Sequence, residues 1–132
     1  MTPEKLLYAK THEWVALSND GGQKVATIGL TAFAVEALTD LVFIELPKVG
    51  AQVTYMKPMG VVESVKAASD IFAPLSGKVV AVNDALLKTP ESVNQDCYGK
   101  GWMVKIKMSS KGDHDKLMAP DAYEKQIATQ GH

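Results

Sequence analysis

The chain has 132 residues, 46% of them hydrophobic and 22% charged, a length and balance that suit one domain with its own core and exclude a disordered chain. Fourteen basic against fifteen acidic residues leave a net charge of −1, and every basic residue is a lysine; without the planar guanidinium fork that fits phosphates and base edges, nucleic acid is excluded as the main partner. One cysteine, Cys97, forbids an internal disulfide and fits a reducing compartment, while no basic amphipathic stretch suits a membrane surface and no apolar run nears the ~18 residues that span a bilayer.

In chain order, Met1 to Tyr8 has neither the apolar core of a signal peptide nor the Arg-rich, acid-poor composition of a transit peptide. A bacterial cytosol is expected, or a mitochondrial matrix after removal of a leader. Glu13 to Leu17 reads as a strand, and Asn19-Asp20-Gly21-Gly22 as a tight hairpin turn, since these residues tolerate positive φ. Lys24 to Leu30 is the returning strand. Thr31 has the chemistry of a helix N-cap, with Leu30 and Val35 spaced as a hydrophobic staple, and a short helix ends near Asp40. Leu41 to Leu46 alternates, which predicts Val42, Ile44 and Leu46 on one face and Glu45 on the other.

Pro47 and Gly50 turn the chain into a brief strand, Val53 to Tyr55, which Lys57-Pro58 breaks. Gly60 to Val65 is the next strand. The small residues Ala67, Ala68 and Ser69 follow it, placing Lys66 at a hairpin turn before the strand that includes Ile71. Pro74 to Gly77 turns again into Lys78 to Val82. The pairs Pro47/Gly50 and Pro74/Gly77 form a weak internal repeat on either side of Lys66. Residues 83–101 are mixed, with Pro90, Gly99 and Gly101 as breakers. Trp102, Val104, Ile106 and Met108 alternate with Met103, Lys105 and Lys107, a half-buried strand. Lys111-Gly112 ends it, Asp113 to Met118 is expected to form a helical turn, and Pro120 suits the first turn of a last helix with Tyr123 and Ile127 on its buried stripe. The expectation is one domain over 1–132, mainly β, with a core at about 6–108, a short inserted helix and a helical tail at about 113–130.

Candidate chemistry is sparse. His12, His114 and His132 have no metal-ligand spacing, and one cysteine cannot complete a zinc site, so no metal is expected. Cys97 lacks a sequence-adjacent base and reads as packing rather than as a nucleophile. No nucleophile elbow, phosphate loop or acid–base carboxylate pair is present. Tyr98 and Trp102 read as braces of the body. Lys66 stands apart from the other lysines, because rigid strands below and small residues around it hold one flexible stem outward, the geometry a covalent carrier needs.

The residues Glu63-Ser-Val-Lys-Ala-Ala-Ser-Asp70 resemble the lipoylation motif of the H proteins of the glycine cleavage system. Further motifs match that family in order: Thr11-His-Glu-Trp-Val15, Val25 to Thr31, Leu41 to Pro47 with Gly50, Pro74 to Val79 with Val82-Asn83, and Asn94 with Tyr98-Gly-Lys-Gly-Trp102. The resemblance covers essentially the whole chain. Two departures are mild: Thr39 stands where many members have glycine, and Cys97 where many have proline.

The resemblance implies a lipoyl/biotinyl-domain-like β-sandwich, a flattened barrel of antiparallel sheets, with Lys66 at a hairpin turn carrying lipoate in amide linkage. It implies a non-catalytic carrier. The aminomethyl group of glycine would pass on lipoyl-Lys66 from a pyridoxal-phosphate glycine decarboxylase (P protein) to a tetrahydrofolate-dependent aminomethyltransferase (T protein). Dihydrolipoyl dehydrogenase (L protein) would then reoxidise the carrier, and a ligase or transferase would attach the lipoate. Glu63, Ser64, Val65, Ala67 and Asp70 would support the attachment turn. Thr11, Glu13 and Asp70 would line a cleft that shelters the loaded arm, where a carboxylate can hold an ammonium. The carrier is expected to be a monomer. Two other readings stay open: an H-like lipoyl relay to other complexes, and an unmodified interaction module of the same fold. An enzyme using Cys97 would be a third class.

Overall fold

The Asn19–Gly22 turn forms as its composition predicts. Strands β2 (Glu13–Asp20) and β3 (Gln23–Leu30) pair antiparallel in unbroken register from Glu13↔Leu30 to Asp20↔Gln23. This leaves Gly21 and Gly22 as a two-residue loop with φ of 60° and 84°, the positive pair that matches the twist of a hairpin. Both strands are longer than their apolar runs, because backbone pairing continues through polar residues until the turn. The computed structural model describes residues 6–109 and 116–130; His114, His132, Lys111-Gly112 and the first half of the turn expected at Asp113 to Met118 lie outside them.

The other described strands are β1 (Leu7–Tyr8), β4 (Leu41–Glu45), β5 (Gln52–Val53), β6 (Pro58–Ser64), β7 (Ala68–Phe72), β8 (Gly77–Val82) and β9 (Val104–Met108). They form a six-stranded sheet in the order β1-β2-β3-β9-β8-β5 and a three-stranded sheet in the order β4-β6-β7. All the pairings are antiparallel. One buried cluster draws on both sheets: Val15, Ile28, Val79 and Ile106 from the larger, Ile44, Val62 and Ile71 from the smaller. The molecule is thus a flattened β-sandwich. The two turns of the internal repeat meet, since β5 pairs with β8 and Gly50 N–H donates to Val79 O at 2.8 Å.

Helix α1 (Ala32–Leu38) is capped by Thr31, whose hydroxyl accepts from Ala34 N–H at 3.3 Å. It stops at Thr39, which has φ 67° and ψ −150°. Strand β4 then departs from the expected alternation. Leu41 and Ile44 are buried, whereas Val42 and Phe43 are 56% and 44% exposed. A bulge between Leu41 and Phe43 is the cause: two steps on β4 oppose one on β6, which resets the parity of everything after it. Strand β5 ends at Val53, short of Tyr55, and β6 begins at Pro58, earlier than expected, because a strand's first residue tolerates proline.

Two short helices, α2 (Ala85–Lys88) and α3 (Glu91–Gln95), occupy the mixed stretch and bury Leu86 and Val93. At four and five residues they fall below the length at which helical periodicity can be read. Strand β9 starts at Val104, so Trp102 precedes it and Met103 is buried rather than facing out with the lysines. Helix α4 (Pro120–Gln130) covers a second cluster on the outer side of the larger sheet, where Tyr123 stacks on Tyr8 with centroids 4.5 Å apart beside Leu6 and Trp14.

Candidate functional site

Strands β6 and β7 pair as far as Glu63↔Ala68, which leaves Ser64 to Ala67 as the connecting turn. Ser64 closes it. Its N–H donates to Ala67 O at 2.7 Å and its hydroxyl donates to the same oxygen at 3.1 Å. The hydroxyl oxygen also accepts from Lys66 N–H at 3.2 Å and Ala67 N–H at 3.0 Å. One proton and two lone pairs are the whole capacity of a hydroxyl, so Ser64 is fully used while nearly buried. The result is a rigid turn that leaves Val65 86% exposed and Lys66 exposed.

The Lys66 ammonium reaches across the turn to α1, where it donates to Ala37 O at 3.4 Å. Ala37 borders a cleft of about 180 Å³ between α1 and the three-stranded sheet. Phe33, Leu38 and Val62 give the cleft apolar walls; Thr11 and Asp70 supply polar edges. The cleft thus joins Thr11 to Asp70 of the β6–β7 hairpin, and the contact with Ala37 brings Lys66, on that same hairpin, to its border. Glu13 is not among the lining residues. It is 0% exposed, and its carboxyl accepts hydrogen bonds from the Thr11 hydroxyl and from Phe72 N–H, the latter at 3.2 Å. Burial pushes its pKa up to about 7, against the lowering effect of those bonds. Glu13 thus anchors Thr11 and β7 from behind the cleft.

Tyr98 and Trp102 both pack against the second apolar cluster. Tyr98 also accepts from Ala32 N–H at 3.0 Å, so it secures the first turn of α1. Trp14 donates to Cys97 O at 2.9 Å, and burial pushes the Cys97 thiol up to about 11, which keeps it protonated and poorly nucleophilic near neutral pH. Sequence reading did not find α1 as a cleft wall, because Phe33, Ala37 and Leu38 look like any apolar helical stripe. Nor did it find the join between His12 and Tyr123, whose Nδ1 and Oη lie 2.7 Å apart across 111 positions.

Comparison with known proteins follows the same residues. The model of the glycine cleavage H-protein family matches residues 6–130. A glycine cleavage system H protein of Carboxydothermus hydrogenoformans is 47% identical over 131 residues, covering 99% of this chain and 98% of that protein. One of Chromobacterium violaceum is 50% identical over 125 residues, covering 95% of each. Among solved structures, the crystal structure of a glycine cleavage system H protein from Mycobacterium marinum superposes with a TM-score of 0.86 at 36% identity, covering 96% of this chain and 99% of that one.

Proposed function

The chain belongs to the glycine cleavage H-protein family, and from that premise we propose that it carries lipoate in amide linkage on Lys66 and shuttles the aminomethyl group of glycine. The observation that carries this reading is an exposed lysine on a serine-locked turn at the edge of an apolar cleft. The residues fit the group. An acyl chain needs hydrocarbon walls, which Phe33, Leu38 and Val62 provide, and a cationic end needs acceptors, which Thr11 and Asp70 provide.

Lipoate, when attached, supplies a disulfide that can take up a carbon fragment and two electrons, chemistry the side chains of this protein lack. The chain supplies position and shelter. Ser64 fixes the turn, so the lysine stem is the flexible part. Glu63 and Val65 flank it as features an attaching ligase or transferase can read. The α1 wall excludes water from whatever lies in the cleft, and Asp70 holds an ammonium there by a charge-assisted hydrogen bond. The partners in this reading are glycine decarboxylase, aminomethyltransferase and dihydrolipoyl dehydrogenase, met in turn by transient docking. No described helix is long and apolar enough to cross a membrane.

The test is intact mass followed by peptide mapping of protein made in cells that lipoylate a control domain. A gain of one lipoyl group on Lys66, absent in Lys66→Arg, is expected. A chain left bare while the control domain is modified would overturn the carrier reading in favour of an unmodified interaction module.

A further inference from the structure

We propose that Tyr123, on the C-terminal helix, is a positioning residue for the cleft beside Lys66: its hydroxyl joins His12 to Thr31 and so sets two of the cleft's walls. Its significance for a bound arm rests on the carrier reading; the bridge itself does not.

The bridge is short on both sides. Tyr123 Oη lies 2.7 Å from His12 Nδ1 and 2.7 Å from Thr31 Oγ1. One proton order satisfies the three bridge atoms: the Thr31 hydroxyl donates to Tyr123 Oη, the Tyr123 hydroxyl donates to His12 Nδ1, and Thr31 Oγ1 accepts from Ala34 N–H. Burial pushes the phenol up to about 12, so it keeps the proton it must give.

Each end of the bridge controls a wall. His12 sits at φ 73°, a left-handed conformation that costs a side-chain-bearing residue free energy and has to be held. It is held by His12 N–H to Ala9 O at 3.0 Å, by Thr31 N–H to His12 O at 3.0 Å, by stacking on Phe33 with centroids 4.7 Å apart, and by the Tyr123 hydroxyl. Release of that turn would move Thr11, the residue before it, and Phe33, against which the imidazole stacks; both line the cleft. Thr31, at the other end, is fully buried and caps α1, the helix whose Phe33, Ala37 and Leu38 form the apolar wall.

Tyr123 itself does not line that cleft. Its ring is already accounted for by stacking on Tyr8. The hydroxyl is the part that packing alone does not require, and it is the part that reaches the cleft side.

The experiment compares Tyr123→Phe, Thr31→Val and Thr31→Ser in the full, unlipoylated chain. Tyr123→Phe keeps the ring stack, and a cooperative melt establishes that the variant is folded. Nitrogen NMR reads the His12 imidazole, and hydrogen exchange reads the amides of Ala34 to Leu38. In Tyr123→Phe the His12 signal should lose its single-tautomer character, while Thr31→Val, which leaves the Tyr123 hydroxyl to donate to His12, should perturb α1 more than the imidazole. In both variants the α1 amides should exchange about tenfold faster, the consequence of one lost buried hydrogen bond. Thr31→Ser should restore the native values. An unchanged His12 signal with unchanged α1 exchange in Tyr123→Phe, or Thr31→Ser behaving like Thr31→Val, would overturn the bridge.

Protein lipoylated and loaded with the aminomethyl group supplies the second arm of the test. Loss of that group should be several-fold faster in Tyr123→Phe than in the native chain, with loaded free lipoamide as the upper limit. Native protection matched by Tyr123→Phe overturns the positioning role alone. A native chain that loses the group as fast as lipoamide overturns the sheltering cleft, and the positioning of a bound arm with it.

Discussion

A carboxyl group with no solvent exposure needs a reason to be there. Glu13 shares a strand face with Val15, so it points into the body, and its two partners, the Thr11 hydroxyl and Phe72 N–H, belong to different segments. Those bonds do not offset burial: its pKa rises from 4.5 to about 7. The folded chain therefore holds this proton to a higher pH than the unfolded chain. The contribution is fully present below pH 4.5 and is lost as pH rises to about 7, a change of about 3 kcal/mol at 1.36 kcal/mol per pH unit. Urea unfolding of the native chain is expected to show stability falling between pH 5 and 7, and Glu13→Gln is expected to flatten that slope. A Glu13→Gln profile parallel to the native one would mean that another group titrates. The inward face of Glu13 is legible from its parity with Val15, but its neutral state at mild pH is not, since burial is a property of the layers above and below it.

At the scale of elements, local signals decide what forms and cross-strand partners decide where it ends. Helix α1 begins where Thr31 predicts it, yet ends on Thr39, an exposed β-branched residue at φ 67° and ψ −150°. That backbone region favours glycine and costs other residues about 1–3 kcal/mol. Asn94, on α3, holds the distortion in place. Its amide N–H donates to Thr39 O at 2.8 Å, and its side-chain oxygen accepts from Leu41 N–H at 2.9 Å, so it clamps both sides of Asp40. Thr39→Gly is expected to stabilise the chain by about 1 kcal/mol, the relieved strain less the added freedom of glycine when unfolded; thermal melting checks it, and a lower midpoint would refute the strain. The β4 bulge carries the complementary lesson. Its alternation marks a strand but misplaces Val42, because a bulge is set by the pairing with β6 and leaves no mark in β4 alone.

The whole molecule has two apolar clusters on opposite sides of its larger sheet. The inter-sheet cluster takes its fully buried members from β2 through β9 and the helices between them, with none from α4. The outer one depends on α4, because Tyr123 and Ile127 cover Tyr8 and Trp14. A chain ending at Ala119 is therefore expected to keep its β-sheet circular dichroism while melting several degrees lower, as a buried aromatic side chain contributes about 3 kcal/mol or more. Its tryptophan emission should shift to the red as Trp14 meets water. Unchanged melting and emission would show that α4 is an appendage rather than a cover.

By itself the sequence determined the features encoded over a few neighbouring residues: the two-glycine hairpin, the Thr31 cap, the antiparallel β character and the singular lysine between two strands. Turn geometry, capping and strand alternation act over two to eight residues, so a linear reading captures them. Tertiary structure alone decided that α1 walls the cleft where the resemblance sets Thr11 and Asp70, that Glu13 lies sealed behind that cleft instead of lining it, and that a tyrosine 111 positions away holds His12. Those arrangements come from two sheets and a distant helix packing together. Their energies depend on partners brought close only by the fold, and sequence distance carries no record of that.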